Sequence, residues 1–296
     1  LTRFWIGDDM RALHTNAGRS PPMKFSFFHL MPWTDLAAPP DDWPVGNAAF
    51  DPVRGKELYD RYLDTMAYAE QCGFDWVGCN EHHFSPYGLM ANCNLIGAAL
   101  AQRTSRIKLA MLGNLVPLLN PIRVAEEYAM LDVMSGGRLV AGMIRGVPHE
   151  YVAYNIDPGE SRERLREAAA LIVKCWTATE PFRWDGRFFQ YPSISIWPKP
   201  LQQPHPPILM SASNEESAEF AAEHRAMIGM TLIAELGIAQ GIIGTYRTAL
   251  RAQGIEATLA PVLLSYNPCI ADSDAEAREQ LRSEERREGK ECSSRW

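Results

Sequence analysis

The strongest constraint on the fold is a repeated switch between two hydrophobic periods. From Met23 onward, short apolar runs alternate with one-faced amphipathic segments. "FSFFHLM" (25–31) reads as a buried strand. "KELYDRYLDTMAYAEQ" (56–71) sets Leu58/Tyr59, Tyr62/Leu63 and Met66/Ala67 one helical turn apart, and Gly73 is placed to end that helix. "FDWVGC" (74–79) is a second strand, 90–104 a helix, and "RIKLAML" (106–112) a third strand. In 120–137, Asn120 can cap, Pro121 suits the first helical position, and Gly136-Gly137 stop the helix. "RLVAGMI" (138–144) is the fourth strand, and 161–176 carries a stripe of Leu165, Ala168, Ala169, Ile172, Val173 and Trp176. Residues 178–206 break the rhythm, with "FRWDGRFFQY" reading as a short hairpin and "WPKPLQQPHPP" as an extended rim segment. Strands at 207–213, 227–233 and 261–266, with helices near 214–224 and 238–253, then resume it.

Such alternation implies parallel strands with helices outside. Seven strands are countable, whereas a (β/α)8 barrel has eight. The rival is a doubly wound open sheet, which usually shows a Gly-rich phosphate turn after a strand. No GxGxxG, P-loop or internal repeat occurs. The length of 296 residues allows one large or two medium domains.

The net charge of −7 argues against nucleic acid and anionic membrane as partners. No apolar run approaches the ~20 residues of a membrane helix. Residues 1–22 lack the apolar core of a signal peptide. They are expected to be a disordered or non-native leader, with Met23 as the natural start; a surface arm is the alternative. The six cysteines are scattered and none forms CxxC. Cys72, Cys79 and Cys175 lie in apolar contexts, and a reduced, cytoplasmic setting is expected.

The polar motif "CNEHHFSPYG" (79–88) follows the second strand directly. Barrel chemistry sits at the C-terminal ends of strands. Other polar residues recur there: His29, Asn114, Arg145, and Ser213 with Asn214. Three readings of Glu81, His82 and His83 stay open. Metal is the weakest. Successive strand residues face opposite ways, and no further His/Asp/Glu pair supplies the three protein ligands of a catalytic zinc. Proton transfer suits a histidine held by a neighbour. The third reading is that one histidine only hydrogen-bonds the rim.

Three ordered segments, "EHHFSPYGL", "NPIRVAEEYAMLDVMSGGRLVAGMIRGV" and "SASNEESAEFAAEHR", resemble the bacterial luciferase-like family of flavin-dependent monooxygenases. The resemblance covers about residues 23–275. It implies a TIM-type (β/α)8 barrel, here stopping before its eighth strand. It also implies reduced FMN as cofactor, with coenzyme F420 in some members. By the same resemblance His82 takes part in protonation chemistry, flanked by Glu81 and His83. Arg145 and Arg162 would reach the cofactor phosphate, and Ser213, Asn214 and Ser217 at a helix start would complete the socket. Leu112-Gly113 would form a non-prolyl cis peptide under the flavin ring, beside Asn114.

Two departures stand out. Luciferases proper carry a reactive cysteine before the phosphate arginine; here the residue is Ile144, so light emission is not implied. After 281 the chain runs "RSEERREGKECSSRW", charge-dense and without an apolar stripe. A barrel domain over 23–281, incomplete at its C-terminus, followed by a non-native tail over 282–296, is therefore expected; a solvated tail is the alternative. The function implied is a monooxygenase acting through a flavin C4a-peroxide on a small organic substrate with O2, the aromatic-rich stretch 182–197 lining the substrate mouth. A separate flavin reductase would supply reduced FMN, no metal is called for, and a homo- or heterodimer stays open. An F420-dependent dehydrogenase and a non-catalytic flavin-binding protein are the rivals.

Overall fold

The computed structural model describes residues 23–36, 43–231, 236–256, 261–265 and 271–280. The leader 1–22 and the tail 282–296 lie outside the described residues. Seven strands form one sheet in the order β1 (Ser26–Phe28), β2 (Trp76–Cys79), β3 (Lys108–Leu115), β4 (Leu139–Ile144), β7 (Ile208–Ser211), β8 (Met227–Thr231) and β9 (Val262–Ser265). Every neighbouring pair is parallel. The spatial order follows the chain without reversal. A doubly wound sheet reverses at its switch point, so the order identifies the singly wound, curled sheet of a TIM-type barrel. The remaining strands, β5 (Phe182–Asp185) and β6 (Gln190–Ile194), form a separate antiparallel hairpin.

The helices between strands are α1 (Pro52–Gln71), α2 (Cys93–Arg103), α3 (Pro121–Met134), α4 (Pro148–Ala153), α5 (Ser161–Thr177), α6 (Glu215–Glu223) and α7 (Leu236–Ala252). Their starts follow the expected chemistry. The Asn120 side chain accepts from the Ile122 and Arg123 amides at 3.0 and 3.3 Å. Gly136 and Gly137 take positive φ after α3, where a Cβ would be strained. The apolar stripe of α1 buries Leu58, Tyr62, Leu63 and Met66.

Side-chain alternation divides the core in two. Val77, Leu109, Met111, Leu139, Ala141, Ile208, Met210 and Ile228 face outward into the large cluster under the helices. Ala110, Val140, Leu209 and Met227 face inward, with Trp76, Leu112, Ile144 and Leu263 packed against them. This period of two separates the covering layer from the barrel interior.

β3 departs from the expected 106–112. It continues to Leu115 through a register shift, with Met111 opposite Ala141 and Asn114 opposite Met143. The Leu112–Gly113 peptide there is cis, where the resemblance places it. The chains approach so closely that a Cβ on Gly142 would lie 1.7 Å from the Met111 carbonyl oxygen. Only glycine fits there.

Three expectations need correction. Cys72 is exposed, because it follows the last turn of α1 rather than its buried stripe, while Cys79, Cys93 and Cys175 are buried. The short helix α4 has no counterpart in the hydrophobic periodicity, since it is only 6 residues long. The hairpin does not border the cavity at the strand ends. The Glu167 carboxylate of α5 receives the Phe188 and Phe189 amides at 2.9 and 3.0 Å, and Phe189 and Ile194 are buried in the outer core. That carboxylate pins the hairpin against α5.

Candidate active site

At the C-terminal ends of the inner strands lies a cavity of about 360 Å³. It is lined by Glu81 and His82 after β2, Leu112 of β3, Arg145 after β4, Arg162 of α5, and Ser213, Asn214 and Ser217 around the start of α6. The structure thus brings eight of the expected site residues into one cavity. His83, Gly113 and Asn114 do not line it. Asn114 faces the helices instead, exchanging two amide hydrogen bonds with Asn94 at 2.9 and 3.1 Å. His29 is also absent from the lining; its Nδ1 accepts from the Met31 amide at 2.9 Å.

The two histidines diverge, though not by strand alternation, since β2 ends at Cys79. His82 Nδ1 lies 3.3 Å from Glu150 Oε1. Glu150 is fully buried, and its Oε2 accepts from the Val147 amide at 3.1 Å. Burial raises the Glu150 carboxyl, but the hydrogen bonds from His82 and the Val147 amide outweigh it and hold it below the ordinary glutamate range. His83 turns away: its Nε2 lies 3.2 Å from Glu81 Oε1 and its Nδ1 3.2 Å from the Tyr154 hydroxyl. His83 therefore braces Glu81 from behind the cavity wall, and of the two histidines only His82 presents its ring to the cavity. Among the described residues no cluster of three or more His, Cys, Asp or Glu could hold a metal ion.

The opposite corner is cationic. Arg145, Arg162 and Arg166 line the cavity together. Arg162 sits in the first turn of α5. It pairs with Glu216, which also meets Arg166 at 3.2 Å. Arg145 has no ion pair among the described residues. The Tyr151 hydroxyl holds its backbone carbonyl. The start of α6 is internally tied: Asn214 Oδ1 accepts from the Ser217 amide at 2.9 Å, and Ser217 Oγ accepts from the Ser213 and Asn214 amides at 3.1 and 3.2 Å. That capping box fixes the start of the helix, which lines the same cavity as the arginines.

Sequence reading missed Glu150, Tyr154 and Arg166. The turn "VPHEY" after the fourth strand held the signal for Glu150, a Pro-initiated helical turn with an acidic third position. Arg166 lies one turn after Arg162, on the same helix face.

The sequence model of luciferase-like monooxygenases matches residues 43–291. The oxygenase component of a flavin-dependent trigonelline monooxygenase from Acinetobacter baylyi is 31% identical over 229 residues, covering 75% of this chain and 62% of that protein. The alkanal monooxygenase alpha chain of Photobacterium leiognathi is 26% identical over 169 residues, covering 57% of this chain and 47% of its own. The chain thus spans about half to three fifths of the length of these relatives. The crystal structure of monooxygenase RslO1 from Streptomyces bottropensis superposes with a TM-score of 0.78 at 29% identity, covering 92% of this chain and 79% of that one.

Proposed function

Because the chain belongs to the luciferase-like monooxygenase family, we propose that it forms the oxygenase part of a flavin-dependent monooxygenase. In this reading it takes reduced FMN from a separate reductase and oxygenates a small organic compound with O2. The observation that supports it best is a single cavity joining a guanidinium corner to a histidine corner across the barrel mouth.

The residues fit a flavin mononucleotide. A phosphate dianion suits three guanidiniums beside a helix N-terminus. Bound reduced flavin supplies the electrons that activate O2. Arg145 offers an unpaired charge to the phosphate, while Arg162 and Arg166 exchange Glu216 for it. Phe28, Leu112 and Ile144 line the middle of the cavity and exclude water from the ring. Glu150 engages His82 Nδ1, which leaves Nε2 as the nitrogen that holds or delivers a proton in the cavity.

The test mixes the protein with anaerobically reduced FMN, then with ¹⁸O2 and a panel of aldehydes, alkanes, terpenes and sulfonates. Incorporation of label into a product supports the reading. Hydride transfer to F420 without O2 uptake would establish the dehydrogenase rival. Tight FMN binding with no labelled product would favour a storage role.

A further inference from the structure

Asn80 is the first residue after β2 and lines the cavity beside Glu81 and His82. Only 2% of it is exposed. Neither its Oδ1 nor its Nδ2 has a hydrogen-bond partner. A buried amide with both ends unpaired is costly in a folded protein, because its lost hydration is not replaced. The buried carboxamides of Asn94 and Asn114 avoid this cost by satisfying each other through two reciprocal amide bonds. Ser26 Oγ, Trp33 Nε1 and Trp43 Nε1 are also buried without a partner, but each is a single atom; Asn80 leaves both ends of a carboxamide unpaired, and it lines the cavity.

The surroundings narrow what could pair with it. Trp76 packs in the inner cluster, so Gly78 follows on the inner face of β2, and Asn80 lines the cavity just beyond it. A Cβ on Gly78 would meet Leu112 at 2.8 Å and Phe28 at 3.0 Å. Those two side chains therefore close over Gly78 and form an apolar floor just below Asn80. These surroundings suit an apolar body with a polar edge. A carboxamide presents one acceptor and two donors and carries no charge. A lone acceptor or a lone donor on the ligand would leave half of it unpaired. A lactam edge, an N–H next to a C=O, satisfies both atoms at once, as the Asn94–Asn114 pair does.

We propose that Asn80 is a ligand-reading residue whose carboxamide pairs with the lactam edge of the flavin's pyrimidine ring. This rests on the flavin reading above and deepens it. The spacing agrees. Asn80 follows β2, Arg145 follows β4, and two strand intervals of ~4.8 Å separate those strands, about 10 Å in all. A phosphate held at Arg145 and a ring edge held at Asn80 are thus set apart on the scale of a sugar-alcohol chain joined to a ring. The lactam edge is common to flavin and deazaflavin, so Asn80 reads the ring and not its redox partner.

The experiment needs no turnover. Oxidised FMN and its N3-methyl analogue, which lacks the ring N–H, are titrated into the protein by flavin fluorescence. The wild type is expected to bind FMN about tenfold more tightly than the methylated ring. Asn80→Leu keeps the volume and removes the polar atoms. It is expected to lose about tenfold in FMN affinity and to bind both flavins alike. Its ligand-free melting temperature should equal or exceed that of the wild type, because two unpaired buried atoms are gone. Asn80→Ala provides the same comparison with a smaller side chain. Three results overturn the inference: equal binding of both flavins by the wild type, discrimination that survives in both variants, or ligand-free melting temperatures that fall in both, which would show the amide satisfied within the protein. Failure of the wild type to bind FMN at all would overturn the flavin reading itself, and this inference with it.

Discussion

Adjacent histidines can have separate tasks, and Glu150 explains how here. His82 is held by Glu150 at the cavity wall, whereas His83 is locked between Glu81 and Tyr154 behind it. The Glu150 carboxyl sits below its ordinary value of 4.5, so it stabilises the folded state above that pH. The contribution disappears as pH falls below 4.5 and through the lowered folded value. Glu150→Gln is therefore expected to cost about 1–2 kcal/mol at pH 7, with the gap to wild type narrowing in acid. Chemical denaturation at pH 7 and pH 3.5 checks this. An equal gap at both pH values would mean that the loss is steric.

Arg145 supports a second residue-scale prediction. Its guanidinium has no ion pair among the described residues and lines the phosphate corner. Arg145→Ala should weaken FMN by about 1.5–3 kcal/mol, the range for a hydrogen bond to a charged group. Riboflavin, which has no phosphate, should be nearly unaffected. Equal losses for both would remove Arg145 from the phosphate role. Arg145 and His82 were legible through the family resemblance, each in a quoted segment just beyond a strand. Glu150 and Asn80 were not: the first acts from a helix of one and a half turns, and the second is conspicuous only through the partners it lacks.

At the element scale, the sheet is tied at its lower end by a carboxylate that hydropathy cannot reveal. Glu70, in the last turn of α1, accepts from the Ser105, Arg106 and Ile107 amides at 3.1, 2.7 and 2.7 Å. These amides lead into β3, so Glu70 sets where that strand begins. Burial raises its carboxyl, but the Ile107, Arg106 and Ser105 amides prevail and bring it to about 2. A lowered folded value means stability present above 4.5 and lost as pH falls toward 2. Glu70→Gln should cost about 1–2 kcal/mol at pH 7, less than the full shift implies because the clamp faces solvent. Thermal melts at pH 7 and pH 2 should show the difference shrinking in acid. The elements themselves were legible wherever periodicity ran long enough, as in α1 and α5. The bulge in β3 was not, because it depends on Gly142 of the neighbouring strand yielding space to the Met111 carbonyl. The hairpin's position was hidden too. Its aromatics look like a mouth in sequence, but Glu167 draws them onto α5.

For the whole molecule, strand order was legible because each parallel strand pairs with the next one along the barrel wall. The edges of the sheet lead to the last prediction. Among the described residues β1 pairs only with β2, and β9 only with β8. β1 is 3 residues long, and the large side chains that lead into it are open to solvent: Met23 is 46% exposed and Phe25 52%. Unpaired strand edges with apolar flanks recruit other strands, and lysine on an edge is a common natural guard against it. A solution of this 296-residue chain is therefore expected to self-associate as its concentration rises. Phe25→Lys places a charge at that edge and leaves the Phe25 backbone bonds to Asp75 and Trp76 in place. It should shift association to roughly tenfold higher concentration, a change of ~1.4 kcal/mol. Sedimentation velocity on both proteins over a wide concentration range provides the comparison. A wild-type chain that stays monomeric throughout would refute the open-edge account. Association unaffected by Phe25→Lys would place the contact on another surface and free β1 of the role.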